Sequence, residues 1–145
     1  MTDPLDNAIV IDTNVLGWLL RGRDDPLTDS YRELIGTSPI VVPFQVVAEL
    51  RFGMMQAHWG EFRVRRAERT LKDFAIAQPD DATFTVYAGL RYHATQVGHP
   101  LGSKVHDGDR WIAATAVRAR RPLVSHDSVF KSVDGLDLIT MLDQS

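Results

Sequence analysis

Residues 9–20 carry two periodicities on either side of a single acid. Ile9, Val10 and Ile11 are consecutive β-branched residues with nothing polar among them. Such a run suits a short strand buried on both faces, as in a parallel sheet. The run stops at Asp12, and Val15, Leu16, Leu19 and Leu20 then recur at helical spacing. A strand that becomes a helix directly after a carboxylate predicts a β-to-α crossing of an open α/β sheet. Ligands bind such sheets at the carboxyl ends of their strands. Capping of the helix by Asp12 or Thr13 would account for this acid on its own. The weight therefore falls on whether other acids reach equivalent places.

They do so three more times. Ile40-Val41-Val42 is closed by Pro43, and Glu49 lies in the early turns of the helix that begins near Phe44. Leu123-Val124-Ser125 runs into Asp127. Asp109 opens an Ala-rich helix, 109–119, whose small residues allow close packing on a sheet. If the strands are parallel, Asp12, Glu49, Asp109 and Asp127 share one edge of that sheet. Between them, Pro26 opens a helix with an apolar stripe at Leu27, Tyr31, Leu34 and Ile35. Ala75–Ala77 reads as a further strand, 82–97 as a helix, 102–108 as a loop and 138–142 as a last strand at the sheet edge. No repeat, low-complexity segment or linker divides the 145 residues, which predicts a single domain over 1–145.

Acids near helix N-termini are favoured individually by about 1 kcal/mol or less. Four in one cleft repel one another and raise each other's pKa unless a cation neutralises them. The chain has no cysteine, so the donors are oxygens and the natural cation is Mg²⁺ or Mn²⁺. Such a site activates water and stabilises charge on a phosphodiester. No Gly-x-Ser-x-Gly or phosphate-binding Gly-x-x-x-x-Gly-Lys loop competes with that chemistry. A two-aspartate phosphatase would need an acid where Asn14 stands.

Around the four acids, Asn14 and Ser125 are placed to hold carboxylates or water by hydrogen bonds, and Thr13 reads as an N-cap group. Asp107 is either a fifth carboxylate of the cleft or a loop residue. The five histidines lack zinc-ligand spacing and read as surface or supporting groups, while Trp18 and Trp111 read as core. The formal charge of −3 offers no bulk attraction to nucleic acid, so any such contact needs a local basic patch. The helix expected over 61–74 supplies one, with Arg65, Arg69 and Lys72 on one face and Arg63 and Arg66 adding charge. No apolar run is long enough to span a membrane, and the N-terminus lacks a signal peptide's basic start and apolar core, which predicts a cytoplasmic protein.

Four motifs appear in a telling order: Ile11-Asp12-Thr13-Asn14-Val15-Leu16, Ala48-Glu49-Leu50-Arg51-Phe52-Gly53, Asp109-Arg110-Trp111-Ile112-Ala113-Ala114, and Leu123-Val124-Ser125-His126-Asp127. Together they resemble the PIN-domain ribonucleases, specifically the toxin of a VapBC-type toxin–antitoxin pair, from Ala8 to Leu142. The resemblance implies a three-layer α/β/α sandwich with a central, mainly parallel sheet and an acidic pocket for Mg²⁺ or Mn²⁺. It implies endonucleolytic cleavage of RNA, with Asp12, Glu49, Asp109 and Asp127 as the four acids and Asn14 assisting the first. It also implies a homodimer held inactive by a VapB-type antitoxin, whose C-terminal segment lies along the toxin's groove. Two positions depart from the family pattern: Ser125 stands where Thr is commoner, and Gly108 where a polar residue is frequent. A non-catalytic RNA- or protein-binding module and a metal-dependent phosphatase are the competing readings.

Overall fold

The computed structural model describes residues 5–22 and 24–143. Five strands, β1 (Ile9–Ile11), β2 (Ile40–Pro43), β3 (Ala75–Ala77), β4 (Leu123–Val124) and β5 (Leu138–Ile139), form one sheet in the order β3-β2-β1-β4-β5. Every pairing is parallel, with Val10 opposite Val41 on one side and Leu123 on the other. The helices are α1 (Thr13–Arg21), α2 (Pro26–Ile35), α3 (Phe44–Gln56), α4 (Glu61–Leu71), α5 (Asp81–Val97) and α6 (Asp107–Ala119). They flank the sheet in the expected α/β/α sandwich.

The central strands explain their own composition. Val10, Ile11, Val42, Leu123 and Val124 are fully buried, as residues of parallel strands covered on both faces must be. Val15 and Leu16 of α1 and Ile112, Ala113, Ala114 and Ala116 of α6 close over them. Each fully buried large aliphatic side chain contributes roughly 1.5–3 kcal/mol. Strand order reverses at β1, between β2 and β4, and this is where an open α/β sheet leaves a crevice at its carboxyl edge.

Four local expectations need correction. Asp12, not Thr13, is the N-cap of α1, and Thr13 is its first helical residue. Helix α6 starts at Asp107, so Asp109 sits in its first turn and not at its boundary. The basic helix ends at Leu71 and not near Phe74. The last strand stops at Ile139, because the next backbone amides turn to side chains: Met141 N donates to Tyr31 Oη at 2.8 Å and Leu142 N to Thr140 Oγ1 at 3.1 Å.

The expected loop before α6 contains two 3₁₀ turns, Pro100–Gly102 and Lys104–His106. They are anchored by Arg110, a fully buried arginine that donates to the carbonyls of Leu101 and Ser103 and pairs with Asp107 at 3.1 Å. Among the described residues, no helix is long and apolar enough to cross a membrane.

Candidate active site

Asp12 leaves β1 with extended backbone and caps α1, its Oδ1 accepting from Val15 N at 2.9 Å. Its other oxygen accepts from the hydroxyl of Ser125, just past β4. That hydroxyl in turn accepts from Asp127 N at 3.0 Å, so one serine links the ends of two adjacent strands. Asp127 caps the short turn 128–130 through Val129 N at 3.0 Å. Asp12 and Asp127 therefore stand on the two sides of the crevice at the strand-order reversal.

Glu49 and Asp109 arrive from helices. Glu49, in α3, accepts from Thr13 Oγ1 and from Gln45 Nε2, the latter at 3.1 Å. Asp109, in α6, shares a hydrogen bond with His106 Nδ1 at 2.7 Å. Gly108 leaves room for the ends of the Glu49 and Gln45 side chains. A Cβ there would lie 2.7 Å from Glu49 Oε1 and 2.9 Å from Gln45 Nε2, inside the space that real Cβ atoms keep. The glycine at a position where a polar residue was expected thus makes room for the Glu49 carboxylate.

The electrostatics tie the four acids together. Burial pushes the Asp12 carboxyl up to about 6; the Ser125 and Val15 bonds oppose this, and the charges of Asp127 and Asp109 add to it. Burial also raises Asp109, against its bond to His106, with the charges of Asp127 and Glu49 contributing to the rise. Each acid is nonetheless held by its own protein donors. Among the described residues, no three Asp, Glu or His side chains close into a ready-made cation cage.

The other sequence candidates fall in different places. Asn14 is exposed and lines a groove with Thr13 and Glu49. Asp107 turns to Tyr87 Oη and Arg110, where its carboxylate holds the buried guanidinium. Arg65, Arg69 and Lys72 lie on a face of α4 that lines a separate groove with Glu68, and Arg65 is paired with Glu61 at 3.4 Å. Trp18 packs against Tyr31 and His126, and Trp111 stacks on Tyr87 with ring centres 4.0 Å apart.

Thr13, Gln45 and His106 are the orienting residues that sequence reasoning did not assign to particular acids. Only the i, i+4 spacing of Gln45 to Glu49 and the i, i+3 spacing of His106 to Asp109 offered a signal. Tyr31 supports the same edge from below. Its hydroxyl meets His126 Nδ1 at 2.6 Å and the Ser125 carbonyl at 3.3 Å.

Comparison with known proteins identifies the family and the fold. Residues 9–136 match the PIN domain family. Ribonuclease VapC5 of Mycobacterium tuberculosis is 31% identical over 130 residues, covering 88% of this chain and 89% of that protein. Ribonuclease VapC1 of Haemophilus influenzae is 23% identical over 118 residues, covering 81% of this chain and 85% of that protein. The crystal structure of VapBC2 from Rickettsia felis, bound to a DNA fragment from its promoter, superposes with a TM-score of 0.76 at 22% identity. That match covers 92% of this chain and 98% of that one. FitAcB from Neisseria gonorrhoeae superposes with a TM-score of 0.73 at 25% identity, covering 90% and 96% of the two chains. With the family match extending over most of its length, the chain belongs to the PIN-domain family.

Proposed function

We propose that this chain is a divalent-metal-dependent endoribonuclease, one nuclease domain over 1–145 that acts as the toxin of a type II toxin–antitoxin pair. The observation that carries the reading is the kinship with VapC ribonucleases, joined to the buried Asp12 at the carboxyl end of β1, whose carboxyl is raised by burial and by the charges of Asp127 and Asp109. The donor set is carboxylate oxygen in a chain without cysteine, which fits Mg²⁺ or Mn²⁺.

In this reading Asp12, Asp109, Glu49 and Asp127 would hold the ion. When bound, such an ion polarises a phosphodiester and lowers the pKa of a water. The chain's own residues set the geometry. Ser125 and Val15 N fix both oxygens of Asp12, Thr13 and Gln45 aim Glu49, and His106 holds Asp109. Asn14 supports from the exposed side of the groove. A VapB-type antitoxin lying along the groove, and a second copy of the chain, are the partners this kinship suggests, and the cytoplasm is the compartment.

The test is Asp109→Asn, in a half-exposed site where the amide fits. RNA cleavage in Mn²⁺ should fall below detection while the circular dichroism spectrum is retained. Undiminished cleavage by the variant would remove the acids from the chemistry. Turnover of small phosphate esters by wild type without RNA cleavage would favour a phosphatase, and RNA binding without cleavage a binding module.

A further inference from the structure

We infer that Arg21, Arg63 and Arg66 form a phosphate-binding pocket for the RNA strand, at the far end of a groove that begins at Glu49. The inference rests on the ribonuclease reading and adds a second binding site to it. Helix α4 presents two basic faces, and they differ in what surrounds them. The face with Arg65, Arg69 and Lys72 also carries Glu68, which is taken by Arg51 at 2.9 Å, and Arg65 is taken by Glu61. The opposite face, at i, i+3 and i+7, presents Arg63, Arg66 and Thr70 to a cavity of about 240 Å³ that Arg21, Gly22 and Trp59 close from the other side. No acid lines it. Among the described residues, none of these three arginines has a carboxylate within 4.0 Å.

Each arginine is placed and not merely exposed. Arg63 lies over the Trp59 ring with its guanidinium carbon 3.7 Å from the ring centre. Stacking on a ring face leaves the N–H edges free to donate. Arg21 ends α1, where the helix dipole favours a cation. Guanidinium forks match phosphate oxygens in a bidentate manner, and three unpaired forks on one cavity select a phosphodiester over a neutral ligand.

The pocket adjoins a cavity that Glu49, one of the four candidate acids, borders. A neighbouring cavity of about 100 Å³ is lined at one end by Thr13, Asn14 and Glu49 and at the other by Arg21 and Trp59. Both cavities share Arg21 and Trp59. Thr13 and Arg21 are the ends of α1, separated by roughly 12 Å of helix at ~1.5 Å per residue. A single strand with one phosphate beside Glu49 would run along α1 and seat a phosphate a few nucleotides away among the arginines. This path differs from the one expected through Arg65, Arg69 and Lys72.

The experiment measures binding of a fluorescently labelled 20-nucleotide single-stranded RNA of mixed sequence, with EDTA holding cleavage off, as KCl is varied. The triple variant Arg21→Gln, Arg63→Gln, Arg66→Gln is compared with wild type and with Arg65→Gln, Arg69→Gln, Lys72→Gln. All six positions are exposed, so both variants fold. The first triple should bind at least tenfold more weakly. The slope of log K against log salt should fall by about 0.7, the value for one phosphate contact on a single strand. In Mn²⁺ its KM for RNA cleavage should rise with kcat retained. The second triple should change the slope by less than half as much.

An unchanged slope in the first triple overturns the pocket. So does failure of wild type to bind the RNA, or RNA binding that survives in the variant while binding of an acidic peptide is lost. The Mn²⁺ response in thermal unfolding separates the two levels. If the acids respond to Mn²⁺ and RNA is cleaved, only the pocket has failed. If neither occurs, the ribonuclease reading has failed with it.

Discussion

Asp12→Asn should make the apo protein more stable, and the gain should depend on pH. Burial and neighbouring acids raise the Asp12 carboxyl from 3.8 to about 6. The folded state therefore binds a proton that the unfolded state has already released between those values, and stability falls as pH rises through that window. The full penalty at pH 7–8 is about 3 kcal/mol at 1.36 kcal/mol per pKa unit. Asn removes the charge and is an equally good N-cap for Val15 N. It loses one good acceptor for the Ser125 hydroxyl, a cost of about 1 kcal/mol.

The net gain of about 2 kcal/mol corresponds to a rise in Tm of roughly 4–8 °C for a chain of this size. The assay is thermal unfolding in EDTA at half-unit steps from pH 4 to 8. The difference between variant and wild type should be absent or reversed near pH 4, grow to about pH 6 and then level off. Saturating Mn²⁺ should stabilise wild type by about 2.7 kcal/mol at a hundred times its Kd, and the variant by less. A variant no more stable than wild type at pH 8, or a difference that is constant with pH, would refute the argument from burial and charge.

Three further substitutions separate site geometry from scaffold. Gly108→Ala should leave Tm within a few degrees, since the helix gains propensity of up to ~1 kcal/mol and only the ends of Glu49 and Gln45 must move. It should nevertheless weaken the Mn²⁺ thermal shift by displacing the Glu49 carboxylate, and an unchanged shift would argue against Glu49 at the site. Gly102→Ala should lower stability by about 1–3 kcal/mol in urea unfolding, because its Cβ would meet backbone, Thr95 N at 2.9 Å. Tyr31→Phe removes the hydrogen-bond partner of the Met141 amide and of His126 and should cost about 1–2 kcal/mol, read as a lower urea midpoint with unchanged slope.

The strands were legible because parallel strands buried on both faces must be apolar without interruption, and Ile9–Ile11, Ile40–Val42 and Leu123–Val124 are. The acids were legible because each follows such a run or opens a helix. What orients them was not. Thr13 reaches Glu49 across 36 residues of chain and Ser125 reaches Asp12 across 113, so no local pattern announces either pairing. The buried Arg110 looks like any charged residue on a helix until the carbonyls of Leu101 and Ser103 are brought beneath it. The last strand was overextended by the apolar residues Met141 and Leu142, whose amides are claimed by Tyr31 and Thr140. On α4 the periodicity shows that two faces are basic. Only the packing of α1 and Trp59 against one of them shows which borders the acid groove.

Capping and chemistry are not alternatives at Asp12, and a second capping aspartate shows how to tell a plain cap from a site acid. Asp80 caps α5 in a reciprocal box with Thr83, as Asp12 caps α1 through Val15. The two carboxyls nevertheless move in opposite directions. The Arg118 guanidinium and the Thr83 bonds hold Asp80 well below the usual carboxylate range. Asp12 is raised, because it is buried and its charged neighbours are further acids. A cap that serves only its helix has no reason to tolerate that repulsion, since Asn or Ser would cap as well without it. A bound cation would reverse the sign of the interaction that Asp12 has with Asp127 and Asp109. The pH dependence of Asp12→Asn and its diminished response to Mn²⁺ are therefore two measurements of one quantity, the electrostatic cost that a bound cation would relieve.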